Sequence, residues 1–245
     1  MKHALLFVMI ISFAGSAIAS RFSLPENYTG VATLSAGPVW EEGGQSQTFS
    51  LSPGVIKTYS AHKSTNTLAN GELFLGVQRN LSELFQGQLG IAVAVTSRAK
   101  LSGDIWDDAD PAFNNYTYSY KVNHTAIGLK GKLLMERGCW LPWISVSMGA
   151  AFNQAFSYNN TPIIFQALPN NNFSSENTTS FTYTLGVGVQ RIIQRHWQAG
   201  VGYEFTDWGK SALGPASGQM LNSGLTLSHL YTNGLIFNIT YLAGR

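Results

Sequence analysis

The sequence predicts an all-β chain folded as an eight-stranded antiparallel up-and-down transmembrane β-barrel, with short periplasmic turns and long extracellular loops. Three observations predict it. Only 11% of the 245 residues are Asp, Glu, Lys or Arg while 44% are apolar or aromatic, against about 25% charged in an ordinary soluble domain. Segments of nine or more residues alternate bulky and small side chains with period two, and no helix-period segment interrupts them. The connections between these segments alternate strictly between long and short. The balance of 15 Lys+Arg against 13 Asp+Glu, a net charge of +2, lacks the dense basic face of a nucleic-acid binder, so no polynucleotide partner is expected. After the N-terminus no stretch approaches the roughly 18 apolar residues of a membrane-spanning helix.

The N-terminus reads as an export signal. Lys2 and His3 precede an apolar stretch over residues 4–14, and Ala17-Ile18-Ala19 supplies the small-x-small site ahead of Ser20, so cleavage is expected after Ala19. This divides the chain into a signal peptide, 1–19, and a single barrel domain, 20–245. Cys139 is the one cysteine; no intrachain disulfide can form, and stability must come from elsewhere.

Strands are expected at residues 30–39, 70–79, 85–102, 115–134, 143–158, 180–192, 197–208 and 225–242. The first, third, fifth and seventh are followed by long polar stretches (40–69, 103–114, 159–179 and 209–224), the second, fourth and sixth by tight turns (80–83, 135–142 and 193–196). This parity collects all long loops at one end and all short turns, with both termini, at the other. Within the first long loop, residues 47–51 and 55–59 flank Ser52-Pro53-Gly54 and predict a protruding hairpin. In the seventh strand Trp197, Ala199, Val201, Tyr203 and Phe205 share one face, and Gln198, Gly200, Gly202, Glu204 and Thr206 the other. The third, sixth and eighth strands repeat the contrast.

Periodicity alone does not say which face points inward. Small residues suit the narrow lumen of eight strands, a soluble barrel would need a charged exterior, and aromatic residues gather at strand ends as interfacial girdles do. The bulky face is therefore assigned to lipid. The girdle is assigned to Trp140, Trp143, Trp197 and Tyr241 near the short turns, and to Tyr116, Tyr118, Tyr120, Phe156, Tyr158 and Trp208 toward the long loops.

Carried by Leu185-Gly-Val-Gly-Val189, by Gln198-Ala-Gly-Val-Gly-Tyr-Glu-Phe205 and by Gly234-Leu-Ile-Phe-Asn-Ile-Thr-Tyr241, the chain resembles the small eight-stranded outer-membrane barrel superfamily, which includes opacity-type adhesins and the transmembrane domain of OmpA-like proteins. The resemblance implies a bacterial outer-membrane protein whose partners are outer-membrane lipid, lipopolysaccharide and the barrel assembly machinery. Members usually end on an aromatic residue; here Tyr241 is expected to take that part. Loops on a rigid scaffold carry binding, and the Ser, Thr, Asn and Gln content of the first long loop fits adhesion or display toward host or surface ligands, beside a structural role in the envelope; no cofactor is expected.

Charged residues assigned to the inner face are Glu72, Arg98, Lys100, Lys121 and Glu204. Buried charge must be paired, so Glu72 and Glu204 are expected to meet Arg98 or Lys121. Such pairs form either a packed plug or the gate of a small channel for apolar or ionic solutes. A change of phase along residues 115–134 predicts a β-bulge near His124. Lipid-modifying catalysis would need a hydroxyl, a base and an orienting carboxylate, and no such set stands out: Ser228 and His229, being adjacent, point to opposite faces. Asp104, Asp107, Asp108 and Asp110 gather oxygen ligands of the kind that suit Ca²⁺, as a candidate metal site without the glycine or distal glutamate of an EF-hand.

Overall fold

The computed structural model describes residues 27–52, 54–165, 167, 170–217 and 223–243; the expected signal peptide lies outside them. Eight long strands make the barrel: β1 (Thr29–Gly43), β2 (Ser64–Asn80), β3 (Phe85–Thr96), β4 (Asn114–Met135), β5 (Trp140–Pro162), β6 (Glu176–Gln194), β7 (Trp197–Asp207) and β8 (Tyr231–Ala243). Each pairs antiparallel with its sequence neighbours, and β1 pairs with β8, from Gly30 opposite Ala243 to Glu42 opposite Tyr231. The ring is therefore closed. Closure gives every strand two partners, the condition under which extended backbone can cross hydrocarbon without orphaned amides.

Along the strands the bulky residues point out. Leu73, Leu89, Ile91, Leu129, Ile144, Met148, Leu185, Val187, Leu235, Phe237 and Ile239 are all exposed, whereas Thr33, Glu72, Gln88, Lys130, Ser145, Gln190, Glu204 and Thr240 are buried. A soluble barrel would show the reverse. The lumen is narrow, and glycine makes it so: Gly188 lies opposite Gly202 across β6 and β7, and a Cβ on Gly202 would come within 2.4 Å of the Trp143 ring. The Cζ2 edge of the indole thus sits over a floor that only glycine leaves open.

The short ends match expectation: bends at 81–84, a turn at Arg137–Trp140 with Gly138 at φ +65, and a two-residue turn before Trp197. On the long-loop side the strands run well past the apolar band. Gln47–Ser52 and Val55–Ala61 form the expected hairpin, and Val55–Ala61 pairs with Ala99–Asp107, which in turn pairs with the outer half of β4. The third expected strand, 85–102, is thus two strands. The chain breaks at Ser97, whose N–H donates to the Ala69 carbonyl and whose Oγ accepts from the Ala69 N–H. Beyond the break the phase shifts by one, so Ala99, Leu101 and Ile105 face in.

β4 contradicts the expected change of phase. Its even-numbered residues face inward from Tyr116 through Leu134, and the register shift lies opposite, between Ser119 and Lys121 against β5, where Ser157 adopts φ +53. No bulge occurs at His124. Gly202→Leu should overpack the floor beneath Trp143, costing about 1–3 kcal/mol; the heat-dependent gel mobility of the refolded protein in SDS should shift to a lower transition temperature, and an unchanged transition would refute the packing described.

Candidate functional site

The lumen is filled in layers. Nearest the short turns, Gln88 donates to Gln78, Gln78 to Gln86 and Gln86 to Glu136, at 2.8, 2.9 and 2.9 Å. Gln190 donates to Thr240, whose hydroxyl also meets that of Thr33. Lys132 reaches Gln190 and lies 4.3 Å from the centre of the Trp143 ring. At mid-barrel the Lys130 ammonium bridges Glu72 at 2.6 Å and Glu204 at 2.8 Å, all three side chains being under 8% exposed. Free space beside this bridge is about 10 Å³, room for about one water. Above it, His124 Nδ1 donates to Asn153 Oδ1, while Asn153 Nδ2 donates to the Trp208 and Lys210 carbonyls and Trp208 Nε1 to Thr232.

Glu72 and Glu204 do face the lumen, but their partner is Lys130, and Arg98, Lys100 and Lys121 are exposed on the outside. Two errors produced these results. Assigning Tyr116, Tyr118 and Tyr120 to the lipid girdle placed odd-numbered β4 residues inside before His124, which drew Lys121 in, and beyond the expected change of phase the inward Lys130 and Lys132 were passed over. The signal was present in Ile127-Gly-Leu-Lys-Gly-Lys-Leu133: outward Ile127, Leu129 and Leu133 leave the lysines between them inward. Arg98 and Lys100 followed from reading one strand through the break at Ser97.

The girdle is correspondingly smaller. Trp140, Trp197 and Tyr241 are exposed near the short turns, and Phe156 is half-buried on the outer face. Trp143 and Trp208 instead lie inside the barrel, and Tyr116, Tyr118, Tyr120 and Tyr158 point into an apolar core above it, with Tyr59, Leu68, Leu101, Ile105, Phe173 and Leu230. Aromatic rings are as good at filling a core as at anchoring an interface, and position at a strand end did not separate the two roles. Burial pushes the Tyr59 phenol above its ordinary value. The extended strands are thus welded into a folded cap that closes the outer mouth.

The four aspartates do not converge. Asp104 holds His62 at 2.9 Å, Asp107 pairs with Lys57 at 3.1 Å and accepts from Asn115, and Asp110 caps the short turn Pro111–Phe113 by accepting from the Ala112 N–H. Asp108 sits at φ 54. Among the described residues no group of three His, Cys, Asp or Glu could hold a metal. The histidines are similarly engaged: His229 with Asp207, His196 with the Leu242 carbonyl.

Removing the central cation should be severe. Lys130→Met leaves two buried carboxylates facing one another and should cost about 3–5 kcal/mol, whereas the triple replacement Glu72→Gln, Lys130→Met, Glu204→Gln should recover most of it. Urea unfolding in detergent micelles reads both; a triple variant no more stable than the single one would contradict the bridge.

No family model and no curated protein sequence matches the chain. Among solved structures, Neisserial surface protein A is similar at 10% identity and TM-score 0.42, over 88% of this chain and 97% of that one. The outer membrane protease OmpT from Escherichia coli is similar at 9% identity and TM-score 0.47, over 91% and 99%. The outer membrane protein OprG from Pseudomonas aeruginosa is similar at 11% identity and TM-score 0.45, over 89% and 98%. The likeness is one of fold. By its own geometry, an apolar outer band around a closed and polar interior, the chain is a small eight-stranded barrel of the bacterial outer-membrane type.

Proposed function

We propose that the protein is a non-enzymatic outer-membrane barrel that makes surface contacts through its rigid outer cap. The observation that carries this reading is an apolar tip on a polar, sheet-paired scaffold. Phe113 is 51% exposed, Ile163 53%, Ile164 41% and Phe165 100%, with Val55 and Ile56 at 40% and 44% on the hairpin. They are tied together by backbone hydrogen bonds: the Asp108 N–H donates to the Ile56 carbonyl and the Ile163 N–H to the Asn115 carbonyl. Large apolar side chains left exposed on water-facing loops point to a contact site, and loops held on a rigid scaffold are where barrels carry binding. The lumenal gate has less behind it, because the interior is packed from the glutamine layer through the aromatic cap. A lipid-modifying activity likewise has less behind it: among the described residues, the hydrogen-bond partners of His62, His124, His196 and His229 are carboxylate, amide and carbonyl groups.

Two measurements follow. Phe113→Ser with Phe165→Ser should lower attachment of expressing cells to an apolar or protein-coated surface severalfold while leaving the heat-dependent gel shift intact; unchanged attachment would remove the tip from the function. The wild-type barrel in planar bilayers should show no discrete conductance steps, and steps abolished by Glu204→Gln would restore the channel reading.

A further inference from the structure

Three cations share the outer face of one barrel panel. Lys100 is the direct cross-strand partner of Lys121, and Lys121 is in turn opposite Phe156 of β5. The Arg98 guanidinium lies over the same Phe156 ring, 5.7 Å from its centre. All three are exposed, and among the described residues no carboxylate forms an ion pair with any of them. Like charges facing one another across a sheet destabilise it. The arrangement is unfavourable in isolation and becomes favourable when an anion lies against it.

Its height tells which anion. On this panel the apolar band ends at Val95, Ile127 and Phe152, exposed by 48%, 46% and 50%. Arg98 follows Val95 by three residues, about 10 Å along the chain at roughly 3.3 Å per residue, and about 8 Å in height for a strand tilted near 40°. That is the outer edge of the headgroup layer, which spans roughly 5–8 Å on each side of the hydrocarbon, within reach of a long guanidinium side chain. Lys100 and Lys121 stand further out, with flexible stems that can reach back toward the interface. Phe156 supplies an apolar platform between them, at the level where aromatic side chains settle.

We propose that Arg98, Lys100 and Lys121 form a docking site for the phosphate headgroups of anionic lipid in the leaflet on the loop side of the membrane. Guanidinium offers a forked pair of donors to phosphate oxygens and each ammonium a mobile point charge. Bound lipid neutralises the facing lysines and staples the Ala99–Asp107 strand, and through it the cap, to the membrane. The proposal rests on the membrane reading of the barrel.

The test compares wild type, Lys121→Gln and the triple variant Arg98→Gln, Lys100→Gln, Lys121→Gln, each folded into phosphatidylcholine bilayers with or without phosphatidylglycerol. In neutral bilayers Lys121→Gln should unfold about 1–3 °C higher than wild type, because a repulsion has been removed. Phosphatidylglycerol should reverse that order, and the triple variant should show little response to it. The same order of stability in both bilayers would overturn the proposal, as would equal stabilisation by inorganic phosphate in neutral bilayers, which would make the lipid irrelevant. Failure of wild type to show a heat-dependent gel shift in either bilayer would instead defeat the membrane reading itself.

Discussion

The structure depends on one constraint: in hydrocarbon, a backbone amide without a partner costs several kcal/mol. The pairing of β1 with β8 meets it for the whole ring, since it removes the two edges that an open sheet of the same strands would present to lipid. With closure in place the chain can expose Leu129, Ile144, Leu185 and Phe237 on one side and reserve the other for polar groups. The scarcity of charge and the near-zero mean hydropathy of +0.02 are then an average over an apolar exterior, a polar interior and a polar cap.

Closure of only eight strands leaves an interior too narrow for a water column, and the side chains that fill it carry the second requirement. Glu72, Lys130 and Glu204 are expensive to bury singly and tolerable together. The flanking layers follow the same rule. Lys132 has Gln190 and the Trp143 ring, and His124 has Asn153, which is itself anchored on the backbone at Trp208 and Lys210. Such a network fixes the register of opposite walls of the barrel. It also leaves the outer cap as the part of the molecule free to meet other surfaces.

Strand number, connection parity and the lipid-facing identity of the bulky face were legible because period two and loop length are local properties of the chain. The hairpin at residues 47–61 was legible for the same reason. The charge pairing was not, because it depends on which phase of a strand points inward, and in β4 two signals conflict. Tyr116, Tyr118 and Tyr120 look like an interfacial belt, yet the strand continues straight into a cap whose core needs those rings. A barrel that ended at the membrane would have made them a girdle. Arg98 and Lys100 were misplaced because the one-residue shift of phase across Ser97 and Arg98 leaves no mark in the alternation until a partner strand is known.

The outer cap and the lumenal plug both follow from which way β4 faces. After Cys139→Ser, single spin labels placed in turn at residues 127 to 133 would read that directly in a lipid bilayer. Labels at 127, 129, 131 and 133 should be accessible to dissolved oxygen, and those at 128, 130 and 132 should be shielded from it and perturb folding. The opposite phase, or accessibility without alternation, would contradict the inward placement of Lys130 and with it the filled lumen.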